Sequence, residues 1–224
     1  MKITVVTPPP FEPVTLASVM EHLRWDADND SPAQYPLQSL VEGYIVTARE
    51  YAEKVTKRAL VQQTLRITLE RFPMVSVRFG GNGWDDDTFW RPGKIELPRP
   101  PFIALLHVKY LDSTETLQTL ADTNYYIDSE SDIVPQLVFR DTFDPGIACT
   151  TRQDAVRIEW QAGYDPGSDS PLTQEAAAAN VPQSIKDAIK LQVQLLADRF
   201  DPNERAELER ARDALLNGFK VHTY

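Results

Sequence analysis

"AREYAEKVTKRALVQQTLRITLERF", residues 48 to 72, changes its period in mid-stretch. Its first half closes an apolar row spaced as on one face of a helix: Leu37, Leu40, Val41, Tyr44, Ile45, Ala48, Ala52, Val55 and Ala59. Pro36 stands where a first helical position tolerates proline, so the spacing predicts an amphipathic helix of roughly 24 residues. From Leu60 the rhythm becomes two-residue. "VQQTLRITLERF" alternates apolar and polar, which sends successive side chains to opposite faces of a strand. The chain leaves a helix and enters a sheet here, so the fold must hold both.

Downstream the strand rhythm continues in "VSVRF", "KIEL", "IALLHVKYLD", "TNYYID", "LVFR" and "AVRIEWQAGY", separated by Gly, Pro, Asp and Ser clusters. Residues 61 to 164 therefore read as a mostly antiparallel β unit. Its most flexible joint is expected at "FGGNGWDDDTFWRPG", 79 to 93, where glycines and aspartates sit between strands. Upstream, Thr15 is a candidate N-cap for a helix carrying Leu16, Val19, Met20 and Leu23 and ending near Trp25. After "GYDPGSDSPLTQEAAAAN" the helical period returns. Pro182 opens a helix with Ile185, Ala188, Ile189, Val193, Leu196 and Phe200 in one stripe, widened by Leu191 and Leu195. Asp201, Pro202 and Glu204 start another that carries Leu208, Ala211, Leu215 and Leu216 and stops at Asn217-Gly218.

The order is helix, helix, β unit, helix, helix. The outer helices must meet to bury their stripes, which predicts an α+β fold: a helical bundle from the two ends of the chain with an inserted, mostly antiparallel β unit. The expected divisions are 1–60 for the N-terminal helices, 61–164 for the β domain, and 165–224 for the C-terminal helices and a tail.

Composition narrows the function. The chain has 224 residues, 42% apolar and 25% charged, enough for a sizeable core. A net charge of −10 argues against a protein built to grip phosphates, which needs a Lys/Arg surface. Cys149 is the single cysteine, so neither an internal disulfide nor a Cys-x-x-Cys metal site can form. "MKITVVTPPPFEPV" is too short and broken for a signal peptide, and no run approaches the ~18 apolar residues of a membrane span. The expectation is a soluble chain made in the cytoplasm, with no membrane partner.

The motifs point away from catalysis. Asp26, Asp28 and Asp30 have the alternate spacing of a calcium loop, but Ser31 and Leu37 occupy the places where that loop needs Gly and Glu, so this is read as a solvated inter-helix loop. Asp85, Asp86 and Asp87 are consecutive and cannot all face one ion, which makes them a solvated loop tip. His22, His107 and His222 form no ligand pair, and His107 reads as a packed or partly exposed strand residue. Gly-x-Ser-x-Gly, Walker A and Gly-x-Gly-x-x-Gly are absent. No enzyme, catalytic residue, metal or cofactor is expected. Trp84 and Trp90, which flank the acidic tip, either contact a partner or fold back on the β unit. The tail Phe219, Lys220, Val221, His222, Thr223 and Tyr224 follows a helix stop and is either frayed or docked on another chain, its apolar and basic character favouring docking.

Taken in order, "VTLASVMEHLRWD", "AREYAEKVTKRALVQQTLRITLERFP", "IELPRPPFIALLHVKYLD", "NYYIDSESD", "VRIEWQAGY" and "VPQSIKDAIKLQVQLLADRF" resemble the head–tail connector (adaptor) proteins of long-tailed double-stranded DNA bacteriophages. The likeness covers residues 14 to 200. It implies a structural virion protein of the neck between head and tail. Such a protein assembles with itself as a ring, typically dodecameric, on the portal protein. The ring extends the DNA channel and presents a surface to a stopper or tail-completion protein. In this family Leu97, Pro98, Arg99, Pro100 and Pro101 lead into a core strand, and prolines that fix φ would deliver "FIALLHVKY" along a rigid extended edge in one register. The resemblance assigns residues 219–224 to portal docking. Trp84, Asp85, Asp86, Asp87 and Trp90 are the candidate partner-facing loop. Acidic subunits lining a channel would repel DNA and let it slide without tight or specific binding. The alternatives are another neck component, such as a stopper or tail-completion protein, or a β-domain module for carbohydrate or peptide using Trp84 and Trp90 as platforms.

Overall fold

The computed structural model describes residues 2–24, 35–78, 88–128, 134–144, 152–167, 172–198 and 200–221, with the backbone alone at 35–37, 75–78 and 88–92. The chain divides into two compact units: a β unit of Met1–Pro8 and Gln63–Ala162, and a helical unit of Pro9–Gln62 and Gly163–Tyr224. The architecture is α+β, with helices from both ends of the chain in one unit and antiparallel sheets in the other.

In the β unit the strands are β1 (Lys2–Thr7), β2 (Gln63–Leu69), β3 (Met74–Arg78), β4 (Thr88–Pro92), β5 (Lys94–Glu96), β6 (Phe102–Leu111), β7 (Leu117–Thr119), β8 (Tyr125–Asp128), β9 (Gln136–Phe139) and β10 (Val156–Ala162). They form a five-stranded sheet in the order β1-β2-β10-β6-β7, a β3-β4 hairpin, and a three-stranded sheet β5-β9-β8. The alternation read in "TLRITL" sets the core face. Leu65 opposes Trp160 and Ile67 opposes Ile158, all buried, while Thr64, Arg66 and Thr68 take the other face. Phe72 joins the sheets' loops to the core through edge contacts with Phe143 at 5.0 Å, Phe139 at 5.4 Å and Tyr110 at 5.8 Å between ring centroids.

The helical unit contains α1 (Leu16–His22), α2 (Tyr35–Thr56), α3 (Gln174–Ala179), α4 (Gln183–Ala197) and α5 (Pro202–Asn217). Thr15 caps α1 by accepting from Ser18 N, and Asp201 caps α5 by accepting from Asn203 and Glu204 N. The stripes meet in one core of Val19, Val41, Ile45, Ala48, Ala52, Ile185, Ala188, Ile189, Val193 and Leu216, among others.

Five sequence expectations change. Lys2–Thr7, read with the N-terminal helices, is a strand paired to β2, because "ITVV" is β-branched and its partner lies 60 residues downstream. The second helix ends at Thr56, where Lys57 turns left-handed at φ 55°, and Ala59, Leu60 and Val61 are buried in the connection instead. Gln174–Ala179, read as linker, is a short helix capped by Thr173. On α5 Ala211 is exposed, and its neighbour Arg212 is buried instead, its guanidinium 4.3 Å from the centroid of the Tyr51 ring. The Leu97–Pro101 segment is a corner and not an extended edge. Arg99 has φ 63°, the Pro100–Pro101 peptide is cis, and the flanking strands β5 and β6 belong to different sheets. Nor does β6 keep one register against β10: it shifts at Glu159/Trp160 and again at Gln161/Ala162, and the first shift leaves Leu106 bulged and exposed.

Candidate functional site

The residues singled out from the sequence fall at two places. Of the partner-facing group, Trp90 is in β4, a strand rather than a loop, with its backbone paired to Ser76. The pairing of β3 with β4 takes Thr88–Pro92 out of the joint expected over 79–93 and so shortens it. Trp84, Asp85, Asp86 and Asp87 lie outside the described residues, as do Asp26, Asp28, Asp30 and Cys149.

The tail begins folded on its own unit. Phe219 packs against the helical core, and Val221 is buried at 3% exposure. Val221 N donates to the Thr56 carbonyl at 3.0 Å, and Arg58 Nε donates to the Phe219 carbonyl at 2.8 Å. The cause is local. The last carbonyls of α2 lack helical partners, and the returning chain supplies an N–H to one of them. Residues 219–221 are therefore neither frayed nor free of their own chain. Lys220 is partly buried, and His222, Thr223 and Tyr224 lie outside the described residues.

Two polar clusters were not legible in the sequence. In the helical unit, buried Arg49 pairs with Glu12 at 2.8 Å and Glu53 at 3.0 Å, and Glu53 also accepts from Leu60 N at 3.0 Å. Burial pushes the Glu12 carboxyl above its ordinary pKa, while the Arg49 guanidinium pulls the other way. The cluster fastens the proline-rich approach to α1 onto α2. In the β unit, Arg66, Glu159 and His107 form one row across β2, β10 and β6. Arg66 Nη2 lies 2.5 Å from Glu159 Oε1, and His107 Nε2 lies 3.3 Å from Glu159 Oε2. A carboxylate between two neighbouring strands' donors is a cross-strand tie. The remaining described histidine, His22, meets Gln194 Oε1 at 3.2 Å through its Nε2. Among the described residues no group of three His, Cys, Asp or Glu is placed to hold a metal ion. No described helix is long and apolar enough to cross a membrane.

The surface carries a different kind of feature. Ile3, Val5 and Val6 on β1 are exposed at 38, 45 and 40%, and Leu117 on β7 at 44%. These are the two edge strands of the five-stranded sheet. Apolar side chains on open edges are rare in a chain that stays alone, so the arrangement is suited to association.

No protein-family model and no curated protein matches the chain. Solved structures do match. A chain in the neck of an empty gene transfer agent (GTA) particle, computed with C6 symmetry, is similar at a TM-score of 0.67 and 17% identity, over 100% of this chain and 97% of that one. A chain of the native GTA virion matches at a TM-score of 0.66 and 17% identity with the same coverage. One from the neck of the native particle computed with C12 symmetry matches at 0.64 and 18%, again over 100% and 97%. At this identity the likeness establishes a common fold from one end of the chain to the other.

Proposed function

We propose that this chain is a structural neck protein of a tailed phage or phage-like particle, and specifically its head–tail connector. The observation that carries the reading is the whole-chain fold match to chains of GTA necks. It coincides with the ordered run of segments that resemble phage connectors. In this reading copies close into a dodecameric ring on the portal protein within the virion neck. The ring lengthens the DNA channel and receives a stopper or tail-completion protein. Its action is association alone, with no bond made or broken. A subunit charge of −10 suits a passage through which DNA slides without being held.

The C-terminal segment Phe219–Tyr224 supplies the portal contact in this reading. Phe219 and Val221 seat it on the end of α2, and Lys220, His222, Thr223 and Tyr224 meet the portal. Trp84, Asp85, Asp86, Asp87 and Trp90 face the next neck component in this reading.

The test is electron microscopy with mass determination of the full chain mixed with the portal protein encoded beside it. A ring added at one end of the portal is the expected outcome, and deleting residues 222–224 should weaken it. Two folded proteins that fail to associate would move the chain to the tail side of the neck, as a stopper or completion protein.

A further inference from the structure

The five-stranded sheet has two open ends. β1 lies at one and β7 at the other, and among the described residues no strand pairs with the outer side of either. Natural sheets blunt such ends with charge, proline or short length. β1 carries one charge, Lys2, followed by the β-branched run Ile3, Thr4, Val5, Val6 and Thr7. A bulge at Val6, where the register passes from Val5↔Leu65 to Thr7↔Thr64, interrupts the end of β1 that leads into Pro8, while Lys2 to Val5 remain regular and able to pair. At the far end all three β7 residues are exposed, including Leu117.

The two ends differ in charge. β1 has Lys2 and no acid before Glu12. The stretch around β7, residues 110–124, has Asp112, Glu115 and Asp122 and no Lys or Arg, while Lys109 on β6 stands opposite Thr119. Glu115 already faces Arg152 at 3.5 Å, and Asp112 accepts from Thr114, Thr116 and Gln118, which holds its carboxylate ionised. Two copies at −10 carry a net repulsion. The acid-free apolar edge of one and the acidic apolar edge of another are where they are complementary. A ring closed by rotation also needs two different surfaces on each subunit, and the sheet offers such a pair. Successive strands in it are antiparallel, so β1 and β7 run in the same direction and every repeat would join them identically.

Resting on the ring assembly above, we propose that the β1 edge of one copy seats against the β7 edge of the next, continuing the sheet from subunit to subunit. The test uses the full chain with Cys149→Ser and the pair Val5→Cys and Gln118→Cys, which the register places on one face of the sheet, oxidised at concentrations where native mass measurement finds rings of the unmodified chain. A ladder of covalent multimers beyond the dimer is expected from the pair and none from either single cysteine. Val5→Glu should abolish rings while the circular dichroism and melting of the subunit stay unchanged. Rings without the ladder, or rings that survive Val5→Glu, overturn the edge contact and leave the ring. A covalent dimer from Val5→Cys alone means that β1 pairs with itself, which also overturns it. If the unmodified chain forms no ring alone or on the portal, the assembly reading falls and takes the edge contact with it.

Discussion

A Cβ built on Gly163 would lie 2.5 Å from both the carbonyl carbon and the carbonyl oxygen of Val61. The chain enters the β unit through Val61 and Gln62 and leaves it through Gly163, and Gln63 pairs with Ala162 immediately beyond. Two connections run side by side with no room for a side chain, and Gly163 has φ 130° besides. Steric conflict with backbone cannot be relieved by a rotamer change. Gly163→Ala should cost about 2–4 kcal/mol, which for a chain of this size lowers the melting temperature by roughly 5–12 °C. Gly167→Ala, at φ 82° with nothing within 4 Å, supplies the comparison and should cost about 1–2 kcal/mol. Equal melting shifts in the two variants would discard the close-approach argument.

Arg49 is the cation for three carboxylates on its own unit, close to Glu12 and Glu53 and 3.9 Å from the exposed Glu50. Arg49→Met leaves Glu12 and Glu53 close together without it, and breaking such a cluster costs about 3–5 kcal/mol. The pH dependence gives a second readout. Glu12 already has a raised folded-state pKa, and losing Arg49 raises it further, so the native state of the variant binds this proton more tightly than the unfolded chain. Stability of Arg49→Met should therefore recover as pH falls from 7 towards 5. Urea titrations at the two pH values measure it, and a deficit that stays constant or grows would contradict the assignment.

Asp112 organises the turn between β6 and β7. Its carboxylate accepts from Thr114 N at 2.9 Å, Thr116 N at 3.0 Å and Gln118 Nε2 at 2.9 Å. The Thr114 hydroxyl is the strongest of the donors that hold its pKa down at about 2. A depressed carboxylate stabilises above its unfolded pKa and loses that contribution as pH falls through the folded value. The Thr114 and Thr116 amide resonances should hold steady from pH 7 to 4 and move with a midpoint near 2. A midpoint at an ordinary aspartate pKa would refute the network.

Phe72 touches three other rings and is 1% exposed. Phe72→Ala should destabilise by about 3–5 kcal/mol through lost burial and the cavity left behind. Tyr126, 46% exposed on β8, is the contrasting aromatic, and Tyr126→Ala should fall within about 1 kcal/mol of the parent. Chemical denaturation of both variants decides the ranking.

Much of this fold is written in local periods. The change of rhythm after Ala59 locates the passage from helix to sheet, and "TLRITL" reads directly as an inward row of Leu65 and Ile67 against an outward row of Thr64, Arg66 and Thr68. The caps Thr15 and Asp201 are equally legible, because a cap bonds to a backbone N–H only two or three residues away. Where the reading failed, the deciding partner was remote. Residues 2–7 are a strand because residues 63–69 are there to pair with them. The tail's first residues are held because α2 ends beside them with an unpaired carbonyl.

The candidate surfaces divide in the same way. Net charge, which is a sum over the chain, told by itself that this protein is acidic. That Ile3, Val5 and Leu117 lie at opposite open ends of one sheet, and that Glu159 stands between Arg66 and His107, was decided by strand order and register alone. Several antiparallel orders satisfy the same alternating runs, since each run specifies which face is inward and not which strand is beside it. Tertiary packing chose the neighbours, and with them which strands stand at the ends of the sheet.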